Sequence, residues 1–230
     1  MCLPIRPYLK VISLRIHGPT AALMAMRIDG ETVHIQDLET ISGRKGKLMR
    51  VDFEQRRRDG ELQSREREVY DNGDSAVILP YDPDRGTVLL ARQLRLPIFL
   101  RDGTERTLEA CAGKLDGDLA EPRIVKEVEE ELGYRITEVL RLFDLYVSPA
   151  TIMEKIAFFT CEYSPADKVS EGGGLKEEGE DIEVIEITLK QAESMVGSGE
   201  IVDAKTVILI RHLIDCTRTS DRDATVEDPR

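Results

Sequence analysis

The stretch that most constrains this chain runs from Ala112 to Tyr134 and reads as a loop entering a helix. Pro122 suits a first helical turn, where a missing N–H costs little. Gly133 suits the position just past a helix end, where a left-handed backbone is wanted. Between them Ile124, Val128 and Leu132 recur every four residues and make an apolar stripe. Glu127, Glu130 and Glu131 fall at i, i+3 and i+4 and share another face. Carboxylates that close repel, and one takes a proton unless a cation sits among them. Oxygen ligands at this spacing suit a hard divalent ion such as Mg²⁺. The plain alternative is a solvated acidic face, with Lys126 and Glu130 as an ordinary i,i+4 pair. Against it stand the glycine-containing loop ahead of the helix (Gly113, Gly117) and the adjacent glutamates, spaced more tightly than solubility requires.

Around this stretch the pattern is one of short strands. Met49, Val51 and Phe53 alternate with Arg50, Asp52 and Glu54, as in a half-buried strand. Asp59-Gly60 makes a hairpin turn, Glu61–Tyr70 returns, and Asn72-Gly73 turns again. Ser75–Pro80 and Thr87–Leu94 are apolar strands around the turn at Asp82–Gly86, and Leu108–Ala112 leads into the loop. Glu138–Val147, Glu154–Tyr163 and Ile182–Ile187 are further strands. Ser164–Glu180 is a loop carrying Gly172-Gly173-Gly174 and an acidic run from Glu177 to Asp181. Thr188-x-x-Gln191 is a capping box that opens a helix. Asp203 caps the last helix, whose apolar residues are Val207, Ile208, Ile210 and Leu213. This order predicts an α/β fold, a mixed sheet with helices on both sides.

At 230 residues and 41% hydrophobic content the chain suits one domain with a packed core. Its formal charge of −12 argues against nucleic acid as a partner. No run reaches the roughly 18 apolar residues of a membrane helix. Cys2, Cys111, Cys161 and Cys216 are widely separated, without metal-ligand spacing, and suggest reduced thiols in a cytoplasmic protein. Residues 1–28 hold Arg6, Lys10, Arg15 and Arg27 and no acid. Three readings stay open there: a transit peptide, a flexible arm, or a start assigned too far upstream, with Met24 and Met26 as alternatives. The expected organisation is a basic leader over 1–30, a strand region over 31–72, a main domain over 73–215, and a polar, disordered tail over 216–230.

The loop-helix residues, Gly113 followed by Lys126-Glu127-Val128-Glu129-Glu130-Glu131-Leu132-Gly133-Tyr134, resemble the Nudix box of the Nudix hydrolases. Lys126 stands where that family usually has Arg. The loop is one residue shorter than the common form, with Asp118 where Glu is usual. Glu109-Ala-Cys-Ala-Gly113 and Lys126-Glu127 are similar to the GDP-mannose hydrolase branch. The likeness extends through Ser148-Pro149, the glycine loop, Gly179–Val184 and Gly199–Thr206 to relatives that cut GDP-mannose or ADP-ribose. It implies an α/β/α sandwich with an N-terminal strand region used in dimerisation.

It also implies roles, residue by residue. Glu127, Glu131, Glu180 and the carbonyl of Ala112 are the expected metal ligands, for Mg²⁺ or alternatively Mn²⁺, with Glu130 supporting the cluster. Glu178 is the expected base for the attacking water, with Glu177 as runner-up. Arg95 is the expected phosphate clamp and Lys205 a point charge for phosphate. Glu66, Arg67 and Glu68 match a segment that crosses to the other subunit of a homodimer and touches substrate, and Glu154 matches a further substrate contact. Plain readings remain for each: a strand-end Arg, a helix-start Lys, a charged edge strand. Where relatives carry an arm tyrosine this chain has Lys45, Gly46 or Lys47. The implied reaction is hydrolysis of a nucleotide diphosphate sugar, GDP-mannose by preference, to a nucleoside monophosphate and a sugar 1-phosphate. The alternatives are an ADP-ribose pyrophosphatase and a non-catalytic regulator that keeps the fold. The intact glutamates favour the enzyme.

Overall fold

The computed structural model describes residues 30–224; the basic leader and residues 225–230 lie outside it. Val33–Ser42 (β1), Lys47–Arg56 (β2) and Leu62–Asp71 (β3) form a three-stranded sheet in that order. The chain divides into two compact units. Among the described residues, one comprises 30–39 together with Val51–Arg67, and the other Thr40–Arg50 and residues 68–224.

The second unit holds a seven-stranded mixed sheet. Its strands are Ser75–Asp82 (β4), Thr87–Gln93 (β5), Thr107–Glu109 (β6), Cys111–Lys114 (β7), Leu140–Leu145 (β8), Ile156–Glu162 (β9) and Glu183–Thr188 (β10). The order is β10-β5-β4-β9-β8, with β4 and β9 parallel and the other pairings antiparallel. β4 and β5 pair only beside their turn, at Tyr81↔Val88 and Asp82↔Thr87. Beyond it β6 pairs with β5 and β7 pairs with β4. The broken strand running from Thr107 to Lys114 is thereby wedged between them and delivers the loop after Gly113 to the N-terminal end of β4.

Period-two alternation along β4 and β5 makes the sheet two-sided. Ala76, Ile78, Leu89 and Ala91 face one cluster; Val77, Leu79, Val88 and Leu90 face the other. Ala120–Glu127 (α2) covers the first face with Ile124, while Val128 and Leu132 follow on the next turn. Leu189–Ser198 (α3) and Ala204–Ala224 (α4) cover the second, with Ala192, Leu209 and Ile210 fully buried. The expected α/β/α layering is present. A short helix, Leu96–Asp102 (α1), follows β5.

The anticipated caps are in place. The Thr188 hydroxyl accepts from the Gln191 N–H at 3.1 Å, and Asp203 Oδ2 accepts from the Thr206 N–H at 2.9 Å. Gly133 ends its helix at φ 77°. Two details differ from expectation. The disordered tail expected from Cys216 is instead helical through Ala224. At its start Arg218 Nη2 donates to Glu193 on α3 at 3.0 Å, and the Thr217 hydroxyl donates to the Ile214 carbonyl at 3.0 Å. The glutamate helix is also not uniformly α: α2 stops at Glu127, and Val128–Leu132 widens into a π-helical turn.

Candidate active site

The π turn decides where the glutamates point. Its extra residue per turn shifts the side chains of Val128–Leu132 off regular α spacing, and such turns are frequent at functional positions. Glu127 and Glu131 both face inward, at 4% and 2% exposure. Glu130 lies nearer the surface and pairs with Lys126 Nζ at 2.8 Å. The i,i+4 pair named by the plain reading therefore exists, but it accounts for only the outermost glutamate.

Glu127 lies against β7. A Cβ at Gly113 would overlap its carboxylate, so glycine is required there by close approach. Arg123 answers the Glu127 charge, its Nη2 lying 2.6 Å from Oε1. Glu131 Oε2 accepts a long bond from the Ala112 N–H at 3.4 Å.

The far loop docks on this helix through its glycines. The Gly173 N–H donates to the Glu131 carbonyl at 2.9 Å and the Gly174 N–H to the Glu130 carbonyl at 3.0 Å. These bonds satisfy carbonyls that a helix end leaves open. Gly172 adopts φ 68°, and a Cβ there would strike the backbone of Leu132. Glu180 then turns back into the space left by Gly174, its Oε2 accepting from the Leu175 N–H at 2.8 Å. Burial pushes the Glu131 carboxyl up to about 8; the Cys111 thiol opposes the shift, and Glu127 and Glu180 add to it. Burial likewise raises Glu127, with Arg123 opposing and Glu130 and Glu180 reinforcing. Glu178 and Glu177 sit on the 3₁₀ turn Lys176–Glu178, exposed, and the Glu178 charge is felt at Arg123.

A second polar group lies beside Glu131. Glu109, buried at 2%, accepts from the Thr107 hydroxyl at 2.8 Å and from Arg95 Nε at 2.8 Å. Burial lowers the Arg95 pKa, but Glu109, Glu131 and Asp203 overcome it and the net shift is upward. Asp203 Oδ1 accepts from Lys205 Nζ at 2.5 Å. The Thr206 hydroxyl donates to Asp203 at 2.6 Å and accepts from the Ala110 N–H at 2.7 Å. Thr206 thus satisfies the amide left free at the break between β6 and β7. Arg95 and Lys205 are each held by a carboxylate rather than standing free at the surface.

Glu154 accepts from the Ser75 hydroxyl at 2.7 Å, at the first residue of β4, which pairs with Lys114. Glu66, Arg67 and Glu68 are exposed on β3, with Arg67 Nη1 donating to the Glu66 carbonyl at 2.8 Å. Gly46 lies against the Tyr70 ring and leaves no room for a side chain. Sequence reasoning missed Arg123, Glu109 and Thr206. The Arg123–Glu127 spacing was a readable signal; nothing local marked the burial of Glu109.

Among the described residues no group of three or more His, Cys, Asp or Glu is gathered in metal-holding geometry. Glu127, Glu131 and Glu180 instead each hold a donor of their own. Their donor chemistry nonetheless fits a hard divalent ion: all-oxygen, crowded and mutually repelling, with a close approach kept open at Gly113.

Comparison with known proteins finds relatives in sequence and in fold. A GDP-mannose pyrophosphatase of Escherichia coli O1:K1 is 45% identical over 168 residues, covering 72% of this chain and 86% of the relative. One from Citrobacter koseri is 44% identical over the same span. A solved structure described as an ADP compounds hydrolase superposes with a TM-score of 0.65 at 18% identity, covering 84% of this chain and 97% of its own, and shares the fold. No protein-family model matches the chain.

Proposed function

The chain belongs to the GDP-mannose pyrophosphatase family of Nudix hydrolases, and we propose that it hydrolyses the diphosphate of a nucleotide sugar, GDP-mannose by preference. The observation that carries this reading is the convergence of buried Glu127 and Glu131 with Glu180, beside the cations Arg95 and Lys205. Such a site pairs an acidic pole for metal with a basic edge for phosphate.

The family uses divalent metals, and Mg²⁺ is the proposed ion, with Mn²⁺ as the alternative. Held by Glu127, Glu131, Glu180 and the Ala112 carbonyl, a divalent ion would neutralise diphosphate charge and lower the pKa of the attacking water. The protein's residues do the rest. Glu178, on a short turn at the rim, takes the water proton. Water oxygen bonds to phosphorus as the bridging P–O bond breaks, releasing a nucleoside monophosphate and a sugar 1-phosphate. Arg95, oriented by Glu109, grips a phosphate, and Lys205 adds a point charge. Glu130 supports the cluster through its field, and Glu154 contacts substrate. The working form is a homodimer in which Glu66, Arg67 and Glu68 reach the other copy's site. Its location is the cytoplasm, supported by the buried Cys111 and Cys161, which are not joined in a disulfide.

The test compares kcat/KM for GDP-mannose and ADP-ribose at one Mg²⁺ concentration, reading out mononucleotide. GDP-mannose should be preferred. A ratio tenfold or more the other way overturns the substrate. No mononucleotide from any nucleotide sugar overturns the enzyme in favour of a binding regulator. Light scattering at micromolar protein should give a dimer, and an active monomer would overturn that part.

A further inference from the structure

Glu127, Glu130, Glu131, Glu178 and Glu180 crowd the loop-helix, and a sheltered cation, Arg123, answers them. Arg123 Nη2 lies 2.6 Å from Glu127 Oε1, with side-chain exposures of 18% and 6%. Lys126, by contrast, is 59% exposed and meets only the outer glutamate.

This pair is badly placed to serve the helix. Arg123 sits near the N-terminus of α2, where the dipole disfavours cations. It also precedes its acid at i,i+4, the less favourable order. Nor is it a completed structural bridge. Arg123 Nε is buried and has no hydrogen-bond partner, whereas a structural guanidinium normally uses its fork fully. Burial opposes its charge, yet Glu127, Glu130 and Glu178 hold its pKa above the usual value. Between the two partners the guanidinium is the one that can leave. Glu127 is pressed against β7 at the position Gly113 keeps clear, while Arg123 has a long, flexible side chain.

From this we infer that Arg123 is the resident counter-ion of Glu127 and exchanges with the incoming divalent cation. In the metal-free protein it neutralises the carboxylate and holds it ready. When metal arrives it gives up that oxygen, so the strength of the pair sets the threshold for occupancy. The inference rests on the assignment of Glu127 as a metal ligand.

The experiment titrates Mn²⁺ into wild type, Arg123→Gln, Arg123→Lys and Glu127→Gln by electron paramagnetic resonance, and measures Tm with and without metal. Removing the competitor should tighten Mn²⁺ binding about 1.4- to fivefold in Arg123→Gln, the range an ion pair of partial exposure converts to. Arg123→Lys, which keeps a charge without the fork, should fall between. Metal-free Arg123→Gln should melt below wild type, and saturating Mn²⁺ should close the gap. A merely structural arginine would lower Tm equally with and without metal and leave affinity unchanged; that result, or weaker binding in Arg123→Gln, overturns the inference. Glu127→Gln separates the two failures. If it binds Mn²⁺ as tightly as wild type, the metal assignment itself falls. If it loses Mn²⁺ while Arg123→Gln gains nothing, only the exchange falls.

Discussion

The two ends of β4 carry charge in opposite ways. At its C-terminal end Asp82 accepts the backbone N–H of Asp84 at 3.0 Å, that of Arg85 at 3.1 Å, and Arg85 Nε at 2.6 Å. Arg85 also grips Glu186, which accepts from the Tyr163 hydroxyl at 2.6 Å, and Tyr163 meets the Thr87 hydroxyl at 2.8 Å. Donors match acceptors. The Arg85 hydrogen bond draws Asp82 below the usual carboxylate range, and Glu186 is lowered too, as Arg85 and Tyr163 outweigh its burial. At the N-terminal end, near Gly113, burial pushes Glu127 and Glu131 up and the neighbouring acids add to the shift, although each has a donor. One end is finished by the chain's own hydrogen bonds; the other is the end proposed to take a divalent ion. Buried acids left raising one another are a cost that folding alone does not explain.

The contrast can be broken most severely at the base. Glu178→Gln should lower kcat about 10²–10⁴-fold, the usual worth of a positioned base, with Mn²⁺ affinity little changed. A larger effect from Glu177→Gln would move the role to that residue. Next, Glu127→Gln or Glu131→Gln should cost about 10²–10³-fold in activity, as loss of a charge that stabilises the transition state does. Metal-free Tm should not fall for Glu131→Gln, because that change relieves a buried like-charge contact. Near-wild-type activity in either variant would end the contrast.

The finished end should respond the other way. Tyr163→Phe removes the hydroxyl shared by Glu186 and Thr87 and should cost about 0.5–1.5 kcal/mol of stability in denaturant unfolding, with kcat unchanged. The smallest effect is in acid. Asp82 and Glu186 have lowered folded pKa values, so their contribution is present above the unfolded values and is lost as pH falls through the folded ones. Tm should therefore decline below about pH 4.5, and an Arg85→Ala variant should show a shallower decline. An unchanged slope would mean that the pairing at this end is not what holds those carboxylates ionised.

What the sequence alone determined is whatever rests on neighbours in the chain. The apolar runs at Ser75–Pro80 and Thr87–Leu94 marked β4 and β5; Thr188, Gln191, Asp203 and Gly133 marked helix ends by local chemistry that needs no partner element. The stripe Ile124, Val128, Leu132 named the buried side of the glutamate helix, and all three are fully buried. The resemblance of the loop-helix supplied the family, because its residues are contiguous. Tertiary structure decided the rest. The π turn at Val128–Leu132 exists where the loop amides of Gly173 and Gly174 cap the carbonyls of Glu131 and Glu130 from some forty residues on in the chain. The burial of Glu109 follows from a broken strand wedged between β4 and β5, with Thr206 closing the gap at Ala110. Arg123 was visible as an i,i+4 neighbour of Glu127, but its meaning was not. A salt bridge on a solvated face and one against a buried acidic cluster share the same spacing, and only the packing of β7 against α2 tells them apart, because shielding from water sets what a charge is worth.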